Sequence, residues 1–204
     1  MGGRGGGSGR GGGAASARRD REKTDHLASD YVGQLKGIEM LMKETGLSPN
    51  EAEKTYFALA SYFGSGYSSI RAGHPPSAME KAKLIDNALK KARAYKGEIY
   101  RGIHLDESTY SEWSKNLQKG ATIDMKGISS WSSNHKVAET FSKSSYGQSV
   151  IFKLKNTNHA VPVQHLSSFG KGEAEVLAPS FVKYKVSSFV KQGNITYVNL
   201  SEVG

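Results

Sequence analysis

The chain has 204 residues and a formal net charge of +9, with 37% hydrophobic and 23% charged residues, the proportions of a folded domain carrying a polar segment. It contains no cysteine, which excludes disulfides, thiol catalysis and thiolate metal sites. No apolar run approaches the roughly 18 residues of a membrane span, and Met1 is followed by glycine and arginine rather than by the apolar core of a signal peptide.

Residues 1–13, MGGRGGGSGRGGG, hold nine glycines and nothing that can bury apolar area, so a Gly/Arg-rich tail over 1–23 is expected to be disordered. Such a tail can serve as a tether or make weak contact with nucleic acid; it has no aromatic ring to stack on bases. Its GxG patterns follow no strand and are not a dinucleotide fingerprint. The rest, 24–204, reads as one domain: a helical part over 24–97 and a β-rich part over 98–204.

The first helix is expected over 29–46, with Tyr31, Leu35, Ile38 and Leu41 on one stripe and Gly46 as its stop. A second, over 48–64, opens with Ser48, Pro49 and early acids, and a third, over 75–97, has Ser77 as its cap. Between the last two, 62–76 is a glycine-punctuated loop or short helix. After Gly97 the pattern turns to strands at 98–105, 121–133, 149–155, 160–164, 173–179, 181–190 and 194–200, with helices at 108–118 and 134–144. Helices followed by strands predict an α+β fold, helices packed on a mostly antiparallel sheet or sandwich.

The six histidines show no i, i+3 or i, i+4 pairing, so a metal site is not expected. There is no nucleophile elbow and no phosphate-binding loop of the Walker type. Three polar islands remain. Arg101, between Tyr100 and Gly102, is a permanently charged fork beside a glycine that permits close approach; it suits a phosphate, or is simply an edge-strand arginine. Ser130 and Ser132 share one face around Trp131, either to orient a carboxylate or as a serine-rich turn. Glu173 and Glu175, at i and i+2, would share one face of an extended strand, where like charges repel, at the start of the apolar run Val176–Leu177. Two carboxylates in distinct environments can divide labour.

These islands, in this order, resemble the arginine–serine–glutamate class of ADP-ribosyltransferases, which includes iota-like and VIP2-like toxins, vertebrate ecto-enzymes and phage enzymes. Tyr100-Arg101-Gly102 matches the family's aromatic-Arg-Gly, and Ser130-Trp131-Ser132 with Ala138 and Phe141 matches its S-T-S and following helix. Glu173-Ala174-Glu175 matches its E-x-E. The stretch YFGSGYSSIR (62–71) resembles a further family segment, and the likeness covers roughly residues 50–190. There are two departures: Trp131 stands for the usual Thr, and Arg71 for a frequent Asn.

The resemblance implies the family's two-sheet core, NAD as donor substrate without a metal, and an acceptor protein. It implies that Arg101 grips the phosphates, that Ser130 orients Glu175, and that Glu175 stabilises the sugar charge. Glu173 then faces the acceptor, with arginine the expected residue, and Phe169 in the preceding turn contacts that acceptor. Tyr100, Gly102, Ser132 and Phe141 complete the dinucleotide site. The chain is expected to work in the cytoplasm or after toxin- or phage-type delivery into a target cell. The alternatives are an NAD glycohydrolase and a non-catalytic module that binds RNA through the tail.

Overall fold

A computed structural model describes residues 31–143, 146–163 and 174–203. The Gly/Arg-rich tail, Phe169 and Glu173 lie outside the described residues.

Among the described residues, four helices come first: α1 (Tyr31–Thr45), α2 (Pro49–Phe63), α3 (Tyr67–Ala72) and α4 (Pro76–Lys91). The start of α2 is fixed by a capping box, in which Ser48 and Glu51 each accept from the other's backbone amide, with Pro49 entering the first turn. The helix expected over 75–97, α4, differs from expectation at both ends. Ser77 lies within its first turn, after Pro75 at the cap, and Ala92 is already extended (φ −76°, ψ 160°). Tyr95 then leaves the helix to donate its amide to the Ala160 carbonyl at 2.8 Å.

The β-rich part contains β1 (Ile99–Leu105), α5 (Glu107–Lys115), β2 (Thr122–Asp124), β3 (Ser129–Ser132), α6 (His135–Ser142), β4 (Gln148–Leu154), β5 (Val161–Pro162), β6 (Glu175–Ala178), β7 (Lys183–Gln192) and β8 (Ile195–Val203). They form one eight-stranded order, β2-β7-β8-β4-β1-β3-β6-β5. Every pairing is antiparallel except β4 with β8. The α+β class with a mostly antiparallel core is as the sequence predicted.

The predicted strand at 121–133 is two strands. Lys126 (φ 52°) and Gly127 (φ 95°) turn the chain between them, and the Lys126 amide donates to Asp124 Oδ1 at 2.8 Å. As a result β2 pairs with β7 at one edge while β3 lies beside β1 near the other.

Two cores meet at β3. Leu41, Leu59, Tyr62, Ile85 and Leu89 of the helices are buried with Ile128, Val161 and Leu177. Ile99, Trp131, Phe152, Val176 and Val198 form the second cluster within the strands. Alternate residues of β3 and β6 therefore serve opposite cores, as a strand with both faces covered requires. The larger half of the sheet joins the β3-β6-β5 half through a single rung, Tyr100 opposite Ser132, whereas β1 makes seven rungs with β4.

Candidate active site

The candidate side chains of β1 and β3 gather where the two strands part beyond that rung. Gly102 explains how β1 is held there. A Cβ on it would lie 1.8 Å from the Ala138 carbonyl oxygen, so only glycine lets α6 lie this close to the strand.

Arg101 reaches across the gap. Its Nη1 donates to the Ser130 carbonyl at 2.5 Å and its Nη2 to the Tyr67 hydroxyl at 3.5 Å. Among the described residues these are its hydrogen-bond acceptors, and a planar fork with further N–H groups has the chemistry to meet a dinucleotide phosphate. The edge-strand alternative is removed, because β1 lies between β4 and β3.

Just before β3, Ile128 faces the helical core, and the period of two puts Ser130 and Ser132 on that same side. Ser130 Oγ lies 3.1 Å from the Tyr62 hydroxyl of α2, which also approaches the Ile128 carbonyl at 3.3 Å. Burial pushes the Tyr62 phenol well above its usual range, against the pull of the Ser130 hydrogen bond, so it stays protonated at neutral pH. Ser132 Oγ accepts the Asn134 amide at 3.0 Å as the chain enters α6.

Trp131 points the other way. It is 3% exposed, its indole N–H donates to Ser129 Oγ at 2.9 Å, and its ring packs on Tyr184 with centroids 5.4 Å apart. The position between the serines thus faces the strand core, and replacing Thr there removes no hydroxyl from the serine face.

Glu175 opens β6 directly opposite Ser132, with Leu177 opposite Ser130. Directly paired residues share a face, so half-buried Glu175 lies on the side of Ser130 and Ser132, one diagonal from Ser130, about 7 Å at Cβ. Across three strands Tyr100, Ser132 and Glu175 form one row.

The residue before it changes the reading of the glutamate pair. Ala174 has φ 46°, a left-handed conformation uncommon outside glycine. Its carbonyl accepts the Ser133 amide at 3.1 Å. The strand begins at Glu175 rather than at 173, so the alternation that would put both carboxylates on one face does not run through Ala174.

The remaining expected residues are more peripheral. The Tyr100 hydroxyl donates to Glu98 at 2.5 Å, and its ring meets His135 at 4.9 Å on the α6 side. Phe141 is 60% exposed on α6. Among the described residues, no three His, Asp or Glu side chains are grouped to hold a metal ion.

Tyr62 and Tyr67 lie in the stretch 62–71 that resembles a family segment, but nothing in the sequence gives either a role. Their signal was two tyrosines around the glycine-punctuated turn that joins α2 to α3. Tyr67 sits between two cations: Arg71 Nη1 donates to its hydroxyl at 3.0 Å, and Arg101 approaches from the other side. Burial pushes this phenol up, but Arg101 and then Arg71, by charge and hydrogen bond, outweigh it and hold it below the usual phenol range.

Comparisons with known proteins identify the family and the fold. The family model described as NAD:arginine ADP-ribosyltransferase matches residues 82–204. No curated protein matches the chain. Among solved structures, the Vis toxin, an ADP-ribosyltransferase from Vibrio splendidus, is similar at 19% identity and TM-score 0.61, over 97% of this chain and 88% of that one. Vis has also been solved in complex with agmatine. The C3 exoenzyme of Clostridium limosum is similar at 18% identity and TM-score 0.59, over 89% and 95% of the two chains. Exoenzyme S of Pseudomonas aeruginosa, solved with human 14-3-3 protein beta and carba-NAD, is similar at 16% identity and TM-score 0.61, over 91% and 89%. The chain belongs to the NAD:arginine ADP-ribosyltransferase family and transfers ADP-ribose from NAD.

Proposed function

We propose that the acceptor is an arginine side chain of a partner protein, and that four residues divide the work. The carrying observation is that Ser130, Ser132 and Glu175 share one face beside the Arg101 guanidinium. In this reading Arg101 fixes the dinucleotide by its phosphates. Ser130 holds the Glu175 carboxylate. Glu175 binds the 2′-hydroxyl of the nicotinamide-bearing ribose and opposes the positive charge that grows on that sugar as its bond to nicotinamide breaks. Gly102 keeps the strand close to α6, and Tyr100, Ser132 and exposed Phe141 frame the site.

Glu173 supports arginine as acceptor. A guanidinium is protonated at neutral pH, since its pKa lies above ~12. To attack a sugar carbon it must be attracted, oriented and relieved of a proton, and a second carboxylate two residues before the first can do all three. Phe169 would contact the acceptor from the same turn. The agmatine complex of Vis supports this reading by analogy, because agmatine ends in a guanidinium.

The test offers agmatine as free acceptor with NAD and follows nicotinamide release and the ADP-ribosyl-agmatine product by mass spectrometry. Product is expected with the native chain. Glu173→Gln is expected to keep nicotinamide release to water and lose the agmatine product. Equal loss of both would contradict the division of labour, and protein labelling confined to residues other than arginine would overturn the acceptor assignment.

A further inference from the structure

Arg71 stands outside the reaction just described, yet it is wired into it. It occupies the last turn of α3 and spends its guanidinium on two partners. One is the Tyr67 hydroxyl at 3.0 Å and the other the Met125 carbonyl at 2.5 Å. Its Nε is buried with no hydrogen-bond partner among the described residues. Its cation also lies 5.3 Å from the Tyr67 ring centroid.

The anchor at Met125 is built into the turn between β2 and β3. Gly127, at φ 95°, lies so close to α3 that a Cβ would sit 2.5 Å from the Arg71 carbonyl oxygen. Arg71 is thereby held at its backbone and at its tip. The Tyr67 hydroxyl, whose hydrogen is free to turn elsewhere, accepts from Arg71 on one side and from Arg101 on the other. Two like charges stay close because one phenol oxygen lies between them.

We propose that Arg71 is a positioning residue for NAD, fixing the Tyr67 hydroxyl and through it the direction in which the Arg101 guanidinium meets the dinucleotide's phosphates. This rests on the reading of Arg101 as the phosphate-binding residue. A planar fork is an effective phosphate ligand only in the right plane, and an acceptor held at its Nη2 defines that plane. The lowered phenol range of Tyr67 agrees with an oxygen that serves two cations.

The test is a mutant cycle on the full chain, with KM and kcat for nicotinamide release and thermal melting for each variant. Arg71→Gln is expected to raise KM for NAD about tenfold, with kcat within about twofold. Arg71→Lys, which keeps the charge but cannot hold both acceptors, is expected to recover part of that loss. Tyr67→Phe is expected to raise KM similarly, and Arg71→Gln in the Tyr67→Phe background to add little. Should Arg71→Gln fail to fold, Arg71→Lys completes the same cycle. Multiplying effects would mean that Arg71 acts independently of Tyr67, and an unchanged KM that it positions nothing; either overturns the proposal. Arg101→Lys with unchanged KM would remove Arg101 from the phosphates, and the role of Arg71 with it. An Arg101-dependent KM beside native-like Arg71 variants would defeat the present inference alone.

Discussion

The hydroxyl of Tyr62 has one hydrogen and two oxygens within reach, the Ile128 carbonyl and Ser130 Oγ. When it donates to Ile128, Ser130 must give its own hydrogen to the phenol. When it donates to Ser130, the serine hydrogen is free for the Glu175 carboxylate that the proposed function sets beside it. The phenol therefore governs what Ser130 can offer. Tyr62→Phe is expected to lower kcat about tenfold and to cost about 1–2 kcal/mol of stability, since a buried carbonyl loses its donor. Steady-state kinetics and denaturant melting read the two separately, and an unchanged kcat would detach Tyr62 from the reaction. At this scale the sequence offers candidates where chemistry is unusual: Arg101 between Tyr100 and Gly102, the paired serines, and Glu175. It was silent on Tyr62 and Tyr67, because a tyrosine on a helix stripe reads as core until the partner 68 residues away is known.

Among the elements, the contact of β1 with α6 sets the site, and Gly102 is its narrowest point. The oxygen a Cβ would strike belongs to helix backbone, which cannot swing aside as a side chain would. Gly102→Ala is expected to cost about 1–3 kcal/mol by overpacking and to raise KM for NAD, because Arg101 is its neighbour. Circular dichroism melting beside kinetics measures both; a native melting point with native KM would show that α6 can retreat freely. Element positions were readable where periodicity was long, as in α1, α2, β7 and β8. They failed where short polar turns decide the path. Lys126 and Gly127 break a stretch that alternates like one strand, and Ala174 adopts a left-handed conformation that no local pattern announces.

At the scale of the whole molecule, the order of helices then strands foretold the α+β class, but not the pairing order. The sheet that sequence divides into seven strands has eight, with one parallel pair between β4 and β8. Long-range pairings of this kind depend on which apolar faces meet, which the periodicity of each strand leaves open. The single rung between β1 and β3 makes the candidate site a seam between two half-sheets, and β3 and β6 contribute to both cores. Such a seam suits a ligand that must be held from both sides.

The most direct measurement is a crystal structure of the chain with carba-NAD, a donor analogue. The account predicts the phosphates on Arg101 and the nicotinamide-side ribose against Glu175 and Ser130. A dinucleotide seated away from the seam, with those three side chains untouched, would contradict it.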